Sequence, residues 1–212
     1  MVQLIQIVRT AIVAALLGAP AQAQERFSPL KLDQLTAEQQ QMATMLATPP
    51  RNSKINTGPF NAYARSPDLG ILLLEVSDFV RFKTSLPPRL SEFAILIAAR
   101  QWSQSYEWHA HYALAIKGGL DRQVLVDLAA GKRPQVMKED EAALYDFCIE
   151  MYRDKHVSDA SFQAARAAFG ERGVMDVIGI LGYYDLVSMA LIAQNTTATP
   201  SGDEPALSPA SR

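Results

Sequence analysis

Residues 106–119 read YEWHAHYALAIKGG and set Glu107, His109 and His111 within one short stretch of a chain that has only three histidines. An imidazole changes charge near neutral pH, so it can take up or deliver a proton during a reaction. A carboxylate one helical turn away can orient the ring or share its proton. At 3.6 residues per turn, Glu107 and His111 fall on one face, extended by Leu114 and Ala115 and bordered by Trp108. His109 points nearly the opposite way, with Ala113 and Ile116, so the two histidines are not expected to serve one site.

A second carboxylate precedes this stretch. Glu92 stands among Leu90, Phe93, Leu96 and Ile97, where a charge is expensive to bury unless it is paired or hydrogen-bonded. Arg89 and His111 are the candidate partners. If the two segments form an antiparallel helix pair, Glu92, Glu107 and His111 come within reach of one pocket. Each residue also has a structural reading. Glu92 can brace a neighbouring helix. Glu107 and His111 can be a surface pair worth about 0.2–0.5 kcal/mol. His109 can pack or face solvent, and His156 in RDKHVSD reads as loop. Arg100 can clamp an anion or brace a helix end, and Cys148, among Leu144, Tyr145 and Ile149, reads as a small buried apolar residue. A metal site would need Glu92 or His109 as a third ligand beside Glu107 and His111. Tight zinc sites show strong ligands with orienting partners, and no spacing here matches a zinc motif. No metal and no cofactor is expected.

The elements that must position these groups are helical, since no run shows period-two alternation. Helices are expected over residues 33–47, 67–84, 89–103 and 106–117, then a short one after Asp121, then 138–153, 158–169 and 173–194. Pro88 suits a first helical turn, and Gly118 and Gly119 suit a helix end. PPRNSKINTGPFNAYARSP, residues 49–67, reads as a long loop, and loops of that length in a compact domain are often functional. The fold class is all-α: a compact bundle of about seven to eight helices.

Composition bounds the remainder. The chain has 212 residues, a net charge of −2 and one cysteine. Balanced charge argues against a nucleic-acid surface, and a lone cysteine excludes an intrachain disulfide. MVQLIQIVR, then TAIVAALLGAPA, then AQA form the pattern of a secretory signal cut after Ala23, with an uncleaved membrane anchor as the competing reading. The domain is expected over residues 24–195. Residues 196–212, rich in Pro, Ser, Ala and Thr without apolar period, are expected to be a disordered tail.

GPFNAYARSPDLG, LPPRLSEFAILIAARQW and YEWHAHYALAIKGGLDRQVLVDLAAG together resemble the carboxymuconolactone decarboxylase family and its AhpD-like fold, over residues 57–195. The most specific part is the glutamate, the E-W-x-x-H and the A-x-x-x-G-G after it. The resemblance implies that Glu92 and His111 are the family's functional glutamate and histidine. The peroxidase branch carries C-x-x-C ahead of that histidine; Gln104 and Glu107 stand there instead, which places this chain in the branch without the thiol pair. It also implies decarboxylation of an enol-lactone acid, with a proton delivered to carbon, and assembly into trimers or hexamers.

The expectation is therefore a periplasmic or secreted, cofactor-free, lyase-like enzyme acting on a small carboxylated or lactone metabolite. His111, Glu92 and Glu107 are its expected catalytic residues. Trp108, Arg89, Phe60, Tyr63 and Arg65 are the expected substrate-binding residues. The expected partners are a small-molecule substrate and further copies of the chain, with no nucleic acid and no membrane after cleavage. The alternatives are a peroxidase relative that lacks the thiol pair and a non-enzymatic oligomeric binding protein.

Overall fold

The computed structural model describes residues 25–209, and the expected signal segment lies outside them. Among the described residues there are eight α-helices and no strand: α1 (Ala37–Ala47), α2 (Gly58–Tyr63), α3 (Pro67–Phe82), α4 (Pro88–Gln101), α5 (Ser105–Lys117), α6 (Arg122–Ala129), α7 (Glu139–Asp154) and α8 (Asp159–Gln194). The all-α bundle expected from periodicity is the fold observed.

The differences from expectation are local. The first helix starts at Ala37 because Thr36 caps it: the Thr36 hydroxyl accepts from the Gln39 amide at 3.3 Å, and the Gln39 side chain accepts from the Thr36 amide at 3.0 Å. Residues Leu32–Gln34 form a separate 3-10 turn. The long loop encloses the short helix α2, started by Pro59 in its first turn. The two helices expected after Ser158 run on as α8, interrupted at Gly170, where φ is 69° and ψ is 175°. That conformation is one a side chain rarely adopts, which is why the helical run breaks at this residue.

α4 is the hub of the bundle. It is buried on nearly every side, from Leu90 to Ala99 apart from Glu92, and it packs against α5, α6, α7 and α8. Phe93 and Trp108 are essentially inaccessible, and truncating a core aromatic of this kind to alanine costs about 3–5 kcal/mol. The end of α5 closes onto the start of α4 at Gly118. A Cβ there would lie 3.0 Å from the Arg89 amide and 3.2 Å from the Pro88 carbonyl carbon, so a residue without a side chain lets the two helices meet. α8 is long and apolar enough to cross a membrane by length and composition alone, and half of its most apolar window is buried against the other helices.

Residues 196–209 do not hang free, contrary to the disorder expected from their composition. The Ser105 hydroxyl accepts from the Ala198 amide at 3.1 Å, the Trp108 indole donates to the Pro205 carbonyl at 3.0 Å, and the Ser208 amide donates to the Ala129 carbonyl at 3.0 Å. Leu207 packs on the core. The segment has no apolar face of its own, so its composition looks like that of a solvated chain. Its order comes from polar groups on α5 and α6 that only the assembled fold presents.

Candidate active site

The α4–α5 pair delivers the acid/base groups. Glu92 sits on the second turn of α4, and His111 in the middle of α5. His111 Nδ1 lies 2.6 Å from Glu92 Oε2, and His111 Nε2 lies 3.5 Å from Glu107 Oε2, one turn earlier on α5. His111 and Glu107 are each 4% exposed. An ionised carboxylate can only accept, so Glu92 holds the Nδ1 proton and leaves Nε2 as the reactive nitrogen. The Tyr184 ring from α8 meets the imidazole edge-on at a centroid distance of 5.1 Å and limits its rotation.

The two carboxylates play different electrostatic parts. Burial pushes the Glu107 carboxyl above the usual range; His111 and Arg81 pull it back in part, and Glu92 pushes it further up. Glu107 therefore favours its protonated form more than an exposed glutamate does, and it faces the imidazole nitrogen that Glu92 leaves open. Glu92 and Glu107 meet opposite nitrogens of one ring, so the three groups do not converge on a point as metal ligands must. Among the described residues, no group of three or more His, Cys, Asp or Glu side chains is placed to hold a metal.

These residues open into a pocket of about 160 Å³ lined by Arg51, Phe60, Arg81, Tyr106, Glu107, His111, Tyr183 and Tyr184, among others. A larger hollow of about 410 Å³ lies between α2, α3 and α8, but apart from Arg65 its lining is almost wholly apolar and includes neither carboxylate nor imidazole. Chemistry, not volume, makes the smaller pocket the candidate site.

Of the remaining residues expected to bind substrate, Phe60 lines the pocket and the others lie elsewhere. Tyr63 and Arg65 line the larger hollow. The Tyr63 hydroxyl donates to that of Tyr183 at 3.5 Å, and burial raises the Tyr63 phenol far above its ordinary range. Arg65 donates to the Ser28 carbonyl and to Asn61, and stacks over Phe27. Arg89 turns away from Glu92 and pairs with Asp140 at 2.6 Å and with Glu141 on α7. Its role is to tie α4 to α7, because two carboxylates at the start of α7 attract it more strongly than one. Trp108 is buried behind α5, with its indole on the tail. His109 also faces the tail, 2.7 Å from Glu204. Arg100 braces helix ends through the Leu128 carbonyl and the Ser103 hydroxyl.

Sequence reasoning missed two arginines. Arg51 comes from the long loop and donates to the Ser77 hydroxyl at 3.0 Å and to Asp78 at 2.6 Å. Arg81 comes from α3 and makes no hydrogen bond or ion pair among the described residues; its Nε is buried without a partner. An unsatisfied buried donor costs about 1–3 kcal/mol, and more when it is charged. Both guanidinium groups lie near the Phe82 ring, Arg51 at 5.7 Å and Arg81 at 5.1 Å from its centroid. The sequence offered no clear signal, because Arg81 stands in DFVRFK between Asp78 and Lys83 and reads as one charge of a solvated helix face.

The single thiol does not line this pocket. Cys148 is fully buried on α7, and burial raises its thiol well above the ordinary range, so it is held as an inert thiol.

No family model matches the chain, and no curated protein matches it in sequence. Solved structures do match in fold. An uncharacterised peroxidase-related protein from a Silicibacter species superposes with a TM-score of 0.65 at 16% identity, covering 85% of this chain and 95% of that one. The debrominase Bmp8, as a cysteine-to-alanine variant in complex with 2,3,4-tribromopyrrole, gives 0.57 at 16% identity over 81% of this chain and 90% of its own. A protein of unknown function from Agrobacterium tumefaciens, described as of the AhpD antioxidant-defence type, gives 0.54 at 16% identity over 66% of this chain and 97% of its own. The chain has an AhpD-like fold.

Proposed function

We propose that the chain is a lyase-like enzyme that works without a cofactor, using decarboxylase-type acid/base chemistry on a small carboxylated or lactone metabolite. The observation that carries this reading is the Glu92–His111–Glu107 relay, with one carboxylate on each imidazole nitrogen at 2.6 and 3.5 Å and the open side facing a pocket. Loss of carbon dioxide breaks a carbon–carbon bond and leaves the electron pair in the substrate. A neighbouring carbonyl delocalises that pair, and a proton must then be delivered to carbon. Glu107, which burial disposes to keep its proton, is the reservoir; His111 Nε2 carries the proton; Glu92 stabilises the imidazolium that forms. Water restores the proton after release.

A thiol route has no support in the site, because Gln104 and Glu107 occupy the positions where the peroxidase branch carries its pair. Gln104 instead caps α5 by accepting from the Tyr106 amide at 2.9 Å. We also place the protein outside the cytoplasm and in a homo-oligomer. The exposed apolar residues Leu69, Leu72, Val76 and Phe79 on α3, with Met175 and Ile178 on α8, support the second point.

The test is incubation of the purified chain with a panel of unsaturated lactone acids and β-keto carboxylic acids in deuterated water. Release of carbon dioxide with one carbon-bound deuteron gained by the product, lost in His111→Ala, is the expected result. Turnover of no acid, alongside reduction of peroxide by added thiol, would overturn the proposal.

A further inference from the structure

We propose that Arg81, with Arg51 beside it, forms an anion-binding subsite of the same pocket, and that its ligand is a single-ring organic monoanion. This deepens the acid/base reading and rests on it for what happens to the ligand after binding.

The starting point is that Arg81 lines the pocket and makes no hydrogen bond or ion pair among the described residues. A guanidinium is planar and always charged, and it presents its N–H groups in a fork that matches a carboxylate. Nε itself is closed to solvent, so the groups that can meet a ligand are the terminal N–H groups of Arg81, which make no hydrogen bond or ion pair among the described residues and belong to a residue in the pocket wall. The neighbouring charges are already matched. Arg51 is 4% exposed at its side chain and is neutralised by Asp78, and His111 is matched to Glu92. Among the described residues lining the pocket the carboxylate is Glu107, and burial disposes it to stay protonated. Among the described residues lining the pocket, Arg81 is left as the cation with no carboxylate bonded to it. Arg51 keeps further N–H donors beyond those on Ser77 and Asp78 and can share the anion.

Size and lining set the ligand class. A cavity of about 150 Å³ holds a benzene molecule, and this pocket measures about 160 Å³. Phe60, Tyr106, Tyr183 and Tyr184 supply aromatic walls suited to a flat ring. Arg51 is already matched by Asp78 and Arg81 is the lining cation without a carboxylate, so a second negative charge on the ligand would go unmatched and a monoanion is favoured over a dianion.

Isothermal titration of the full chain with benzoate, benzamide and chloride tests this without turnover. Benzoate is expected to bind saturably in the millimolar range or tighter, and benzamide, of the same shape but neutral, about tenfold more weakly or not at all. Arg81→Gln should weaken benzoate by about tenfold or more, and Arg81→Lys, which keeps charge but not the fork, by less. Should Arg81→Gln not fold, Arg81→Lys and the benzoate-to-benzamide ratio decide the matter. Equal affinity for benzoate and benzamide, undiminished benzoate binding in the Arg81 variants, or no benzoate binding to the wild type overturns the subsite. Chloride binding as tightly as benzoate overturns the organic ligand. None of these results bears on the His111 chemistry, whose own test is turnover.

Discussion

His111 presents Nδ1 to Glu92 at 2.6 Å across the α4–α5 turn, and this one contact decides which ring nitrogen is available for chemistry. Glu92 comes from the preceding helix, so the tautomer is set by tertiary packing and not by the local sequence around the histidine.

His111→Ala is expected to lower kcat by about 10² to 10⁴, the usual contribution of a positioned acid/base group. His109→Ala should leave kcat close to wild type, because His109 faces the tail and Glu204. Glu92→Gln should lose less than His111→Ala, since an amide oxygen can still accept from Nδ1 but carries no charge to stabilise the imidazolium. Steady-state kinetics and thermal melts on the three variants check this. Equal losses at His109 and His111 would refute the one-face arrangement.

Glu107 links the site to pH. Burial raises its carboxyl, so the folded state holds the proton more tightly than the unfolded chain does. Its contribution to stability is therefore fully present below the ordinary glutamate range and is lost as pH rises through the folded-state value. Glu107→Gln should remove that loss. Melts of the two proteins between acid and mildly alkaline pH should diverge, with the variant gaining relative to wild type as pH rises. Parallel curves would show that Glu107 is ionised in the native state.

Cys148 should be silent. Cys148→Ala is expected to leave any peroxide consumption unchanged, and the native thiol should react with a soluble disulfide reagent only after denaturation, because it is fully buried with a raised thiol. Rapid labelling of the native chain would contradict this.

Ending the chain at Pro200 removes the Trp108–Pro205 and Ser208–Ala129 hydrogen bonds, the His109–Glu204 contact and the Arg122–Asp203 pair. The two hydrogen bonds contribute about 1 kcal/mol each and the exposed ion pair little, so Tm should fall by about 4–8 °C. Differential scanning calorimetry of the truncated chain is the measurement. An unchanged Tm would return the tail to the disordered state its composition suggests.

Several features were legible in the sequence because they depend on local periodicity. The helical character of each segment, the shared face of Glu107 and His111 and the opposite face of His109 follow from 3.6 residues per turn. The unusual position of Glu92 followed from the cost of burying a charge in an apolar run. Local rules could not choose among partners that lie far apart in the chain. Arg89 is three residues from Glu92, yet it pairs with Asp140 and Glu141, more than fifty positions away, because α7 packs beside α4. Arg51, Arg81 and Tyr184 reach the pocket from a loop, from α3 and from α8. Their convergence depends on how helices cross, and so does the docking of the tail on Trp108. The sequence by itself determined the helices and the faces they carry; the tertiary structure alone decided which charge meets which, since a buried charge takes the partner that packing brings within hydrogen-bond reach.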